Sequence, residues 1–215
     1  MLLGALVLVA AGVGALWPRG PKEPVYQGKP LSYWLEELGS THQNTNAPQA
    51  IRHMGKDVLP FLRAMLTAED SSKKLKLLQL LSHQSLFKLR HTPASEQRYR
   101  AVKACLALGP LAAEFAPEVL SNLNQPGRMH GMYSLYAYLE INGYRNTRPG
   151  LIMGLTNSDR AVREFAVAMI ANSTSHQDVR PAIPLLLEMV RGSDTHMVLE
   201  ASNALYKIDP AALPR

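Results

Sequence analysis

Five times along the chain an alanine is followed four positions later by a large apolar residue, and in four of the five another small residue lies three positions before the alanine. The sets are Ala47, Ala50 and Met54; Ala101, Ala104 and Leu108; Ser134, Ala137 and Ile141; Ala166 and Ile170, where Arg163 takes the first small position; and Ala201, Ala204 and Ile208. Spacings of three and four put such residues on one face of an α-helix. A face of small residues lets a neighbouring helix approach closely, while the apolar residue fills the space beside it. Gly55, Gly109 and Gly143 follow three of the sets, and Asp209-Pro210 follows the last. A second apolar run then opens near a proline, at Pro60, Pro117, Pro149 and Pro181/Pro184. Proline is tolerated in a first helical turn, where its missing N–H has no partner to lose. The pattern predicts a repeated unit of helix, tight turn and helix.

The fourth copy shows the stripe most clearly. Val162, Phe165, Ala166, Met169 and Ile170 share one face, Arg160, Arg163 and Glu164 the other, and Ser158 or Asn157 is the expected cap. The intervals between the second alanines are 54, 33, 29 and 38 residues. The long first interval predicts an extra helix over Ser72 to Leu89. Its many leucines exceed one stripe, so burial on two sides is expected. The last clear helix, Asp194 to Ile208, carries Val198, Ala201, Leu205 and Ile208 on one face, with a short cap over Ala211 to Pro214. No strand alternation is evident, and the Asn142-Gly143 pair ends a helix.

The chain opens differently. Met1 to Trp17 holds no charge and spans about 25 Å as a helix, near the short limit for crossing a bilayer. It reads as a transmembrane anchor, or as a signal peptide cut near Val13-Gly14-Ala15. Arg19 and Lys22 follow it and no basic residue precedes it, which taken literally puts the body in the cytoplasm. Basic residues upstream would put it outside. A membrane-anchored, extracytoplasmic body is the orientation favoured, with secretion after cleavage the alternative. Residues 18–46 read as a proline-rich tether, extended over Pro18 to Pro30, and a short amphipathic helix of Leu31, Trp34, Leu35 and Leu38. Trp34 is expected to pack that helix on the first repeat, and 47–215 forms the repeat domain.

RYRAVKACLALGPLAAEFAPEVLSNL and DRAVREFAVAMIANSTSHQDVRPAIPLLLEMV resemble HEAT repeats, of the short kind also found in phycobilisome-lyase-like proteins. EPVYQGKPLSYWLEEL is similar to the segment that introduces such repeats in planctomycete and verrucomicrobial HEAT-repeat proteins. The resemblance covers about Val25 to Leu213. It implies an all-α fold, an α-solenoid superhelix of about five HEAT-like hairpins with a partner-binding surface. Arg163 and the uneven intervals depart from a regular array.

Charge narrows the candidates. The net charge of +6 resides in one region: Lys73, Lys74, Lys76, Lys88, Arg90, Arg98, Arg100 and Lys103, against Glu96 alone. If the two helices that bear them are neighbours, a cationic ridge results. It could meet a protein partner, anionic lipid or nucleic acid. Lys73, Lys74 and Lys76 crowd a helix start, where positive charge opposes the helix dipole.

Catalytic patterns are lacking: no phosphate loop, no Gly-x-Ser-x-Gly elbow and no His-Glu-x-x-His. No two of the seven histidines lie at i, i+4, and the single Cys105 allows neither an intramolecular disulfide nor a cysteine-based zinc site. Cys105 reads as buried, and Glu69 and Asp70 as solvated helix-end acids. The expected function is therefore a non-catalytic protein–protein interaction scaffold at a membrane, without catalytic, metal or cofactor residues. Self-association through the C-terminal helix is a further expectation. The alternatives are polyanion binding through 71–103, and a HEAT-like lyase on fold analogy alone. Both tryptophans precede the repeats, which disfavours a base-stacking cleft.

Overall fold

The structure, a computed structural model, describes residues 22–40, 46–71, 92–125, 128–143, 148–172 and 179–213. It is mostly helical. Residues 1–17 and 72–89, the expected apolar segment and extra helix, lie outside the described residues.

The helices are α1 (Leu31–Gly39), α2 (Asn46–Met54), α3 (Leu59–Leu66), α4 (Ala94–Leu108), α5 (Ala116–Ser121), α6 (Arg128–Ile141), α7 (Arg148–Leu155), α8 (Arg160–Ala171), α9 (Ile183–Val190) and α10 (Thr195–Ile208). They pack largely in chain order. Helix α4 lies against α1, α2, α3 and α6; α6 against α4, α5, α7 and α8; α8 against α6, α7 and α10; and α9 against α10. One apolar core runs through all ten helices.

The small-residue face forms as the spacing predicts. Ala47, Ala50, Ala101, Ala104, Ala137, Ala166, Ala201 and Ala204 are all 0% exposed, and Ser134 is buried with them. Arg163 departs for a local reason: its guanidinium turns back to donate to the carbonyls of Asn157 and Ser158, at 2.7 and 2.9 Å. The turns after α2 and α4 are 3-10 segments, Gly55–Val58 and Gly109–Phe115. Gly109 has φ 58° and ψ −135°, a backbone region open almost only to glycine. Pro60, Pro117, Pro149 and Pro184 each sit in the first turn of a second helix, as expected.

Four local expectations are corrected. Val25 to Pro30 is not an extended tether: Val25 pairs with Pro30 and Tyr26 with Lys29 in a two-stranded antiparallel ribbon. The turn has positive φ at both Gln27 (50°) and Gly28 (71°), as a tight hairpin requires. Tyr26 holds the ribbon down. Its ring meets Trp34 edge-on at 6.0 Å and lies 4.9 Å from the His53 ring, and its carbonyl accepts from Trp34 Nε1 at 3.3 Å. Trp34 is buried, so α1 and the ribbon cover the first end of the array.

The cap of α8 is Asp159 rather than Ser158 or Asn157; its carboxylate accepts from Ala161 N at 2.8 Å. Asn157 instead ties two turns together. Its side-chain oxygen accepts from Asp159 N, and its amide nitrogen donates to Asn124 Oδ1 and the Leu123 carbonyl. Asp70 is not a solvated acid: Oδ2 accepts from Ala94 N at 3.0 Å, at the start of α4. The buried face of α10 includes Met197 and Ala204, whereas Val198 is only half-buried.

Candidate functional site: an apolar groove across α4, α6 and α8

Of the eight cations, Lys73, Lys74, Lys76, Lys88 and Arg90 lie outside the described residues. Arg98, Arg100 and Lys103 all face chain atoms. Arg98 donates to the Ala68 carbonyl after α3 and to Gln125 Oε1 at 3.1 Å. Arg100 Nε donates to Glu96 Oε1 at 2.7 Å, one helical turn back, and the pair rests on Gly39 at the end of α1. Lys103 donates to the Leu38 carbonyl, and its ammonium lies 5.4 Å from the Tyr99 and Tyr133 ring centres. Burial holds its pKa below the ordinary lysine value, opposed by nearby Glu96. These three cations tie α4 to α1, to the residues after α3 and to Gln125.

Helix α6 explains where an interaction surface could arise. Leu135, Tyr138, Leu139 and Ile141 are buried in the core. A second apolar stripe, Met129, Met132, Tyr133 and Tyr136, recurs at three- and four-residue spacing and is not covered in the same way. Met129 remains 51% exposed. With Phe165 of α8, this stripe lines a hollow of about 250 Å³. Tyr136 also borders a larger hollow of about 550 Å³, walled by Leu38, Arg52, Lys103, Leu106 and Glu140 among others. Tyr136 lines both hollows, so the two adjoin along α6; together they make up the groove, with walls from α1, α2, α4, α6 and α8. The Tyr136 hydroxyl hydrogen-bonds Glu140; burial and that carboxylate both raise the Tyr136 pKa.

The sequence carried this signal. Arg128–Ile141 has apolar residues on more than one face, the same mark that suggests two-sided burial at Ser72 to Leu89. Here the second face is a groove wall.

Nothing among the described residues resembles a reaction centre. No group of three or more His, Cys, Asp or Glu side chains is placed to hold a metal ion there. His53 lies on Tyr26, His130 on Tyr99 at 4.8 Å, and His196 3.5 Å from Glu164. These are three separate places. Cys105 is buried, and burial with a smaller contribution from Glu118 pushes its thiol up to about 12, so it is no nucleophile at neutral pH.

One described stretch, Ala94–Asn124, is long and apolar enough to cross a membrane, with mean hydropathy 1.2. Gly109 interrupts it, and Ala101, Ala104, Cys105 and Phe115 within it are buried against neighbouring helices, whereas Leu111 is exposed.

Comparison with family models, curated proteins and solved structures finds no match. The fold and groove together define an all-α protein of serially packed helices with an uncovered apolar surface.

Proposed function

We propose that the chain is a non-catalytic interaction scaffold, a HEAT-like α-solenoid tethered to a membrane by residues 1–17, that binds a protein along its groove. The observation that carries this reading is the second stripe of α6. Met132 and Tyr133 pack partly against the core and the Tyr133 ring also faces Lys103, but Met129 stays 51% exposed beside an apolar hollow, and an exposed apolar strip is what a partner surface needs. Stacked helices supply an extended surface of this kind without an enclosed pocket.

Photo-crosslinking in the native cell tests it. A crosslinking amino acid at Met129 should capture a discrete partner, whereas one at exposed Glu36, on α1, should not. Equal capture at both positions, or none at either, contradicts the reading. Polyanion binding through residues 71–103 is the alternative. Retention on heparin that falls steeply with salt would favour it.

A further inference from the structure

We propose that the groove takes a polypeptide segment of a partner protein that carries one large apolar side chain and, along the same segment, a carboxylate. The apolar side chain seats between α6 and α8, and the carboxylate meets Arg52. The inference rests on the scaffold reading above and specifies the partner's chemistry.

The size and lining of the smaller hollow set the first half. About 250 Å³ accommodates one large side chain with room to spare. Its walls are two thioethers and three aromatic rings, with no charged residue. Methionine adapts to the shape of an apolar guest and contacts aromatic rings favourably. Such walls suit Leu, Met or Phe and give a phosphate backbone nothing to bind.

Charge sets the second half. Three charged side chains border the larger hollow: Arg52, Lys103 and Glu140. The Lys103 ammonium is committed to the Leu38 carbonyl and two ring faces. The Glu140 carboxylate holds the Tyr136 hydroxyl. Arg52 is exposed and has no hydrogen bond or ion pair among the described residues. The uncommitted charge on the groove wall is thus positive, and a carboxylate is its complement. A single free guanidinium is too little for a nucleic acid, whose affinity grows with the number of phosphates neutralised.

A random 12-residue peptide display library, selected on the full chain, tests this. Enriched peptides should combine a bulky apolar residue with Asp or Glu, and fluorescence anisotropy of one such peptide supplies the affinity. Arg52→Glu should weaken it at least tenfold and favour the same peptide with Lys in place of the acid. Met129→Glu should weaken both peptides at least tenfold. Both positions are exposed, so the fold should persist, as circular dichroism checks. Enriched peptides without acidic residues, or affinities within twofold after Arg52→Glu, overturn the inference. So does a dimer that Met129→Glu dissolves, since the occupant would then be a second copy. If cellular crosslinking at Met129 captures a partner but no acidic peptide is selected, this inference falls and the scaffold stands. If crosslinking fails too, both fall.

Discussion

At position 154 the chain needs a hydrogen where any other residue places a carbon. A Cβ there would lie 2.8 Å from Ala166 Cβ and 2.9 Å from Leu135 Cδ2. The alanine methyl cannot rotate away, because it is fixed to the α8 backbone. Gly154→Ala gains up to about 1 kcal/mol in helix propensity but forces α7 off α8, and overpacking of this kind costs about 1–3 kcal/mol. Net destabilisation is expected, read as a lower urea midpoint. Cys105 gives a pH prediction. Its folded pKa of about 12 exceeds the ordinary 9.0, so its contribution is present below pH 9 and is lost as pH rises toward 12. Stability should fall there by about 1.4 kcal/mol per pH unit from this group, and Cys105→Ala should flatten that limb of the pH profile. The buried alanines were legible in the sequence because helical periodicity is local. Gly154 and Asn157 were not: Asn157 reaches Leu123 and Asn124 more than 30 residues away, and no spacing rule encodes such a partner.

Among the elements, α1 shows how easily a cation is misread. Charge patterning places Lys103 on a ridge for polyanions, but a sequence does not distinguish a lysine facing water from one closing a helix end. Lys103 donates to the Leu38 carbonyl in the last turn of α1, where backbone carbonyls lack helical partners. Lys103→Ala should cost about 1–2 kcal/mol, the lower part of the range for a charged hydrogen bond because the side chain is only half-buried. Hydrogen exchange should show faster exchange in α1 with α8 and α10 unchanged. The Val25–Pro30 ribbon escaped prediction for a related reason. Gln-Gly is a weaker turn signal than Asn-Gly, and the ribbon is held by the contacts of Tyr26 with Trp34 and His53.

For the whole molecule, chain-order packing makes stability depend on close contact between successive helices. Ion pairs add support at the surface: Arg160 on α8 reaches Glu164 at 2.8 Å and Asp194, the cap of α10, at 3.2 Å. The groove follows from the same architecture, since α6 sits between α4 and α8 with one face in the core and another beside the gap. The all-α class and the order of helices could be read from repeats alone. The groove could not, because its walls come from five helices and its volume depends on how they are spaced. The central claim is that the repeated small residues set that spacing, and thermal unfolding of Ala137→Leu beside Ala107→Leu tests it most directly. Ala137 is fully buried, whereas Ala107 borders the larger hollow and has room. The expected result is a melting temperature lower by about 3–10 °C for Ala137→Leu, from roughly 1–3 kcal/mol of overpacking, and little change for Ala107→Leu. Equal shifts in the two variants would contradict the claim.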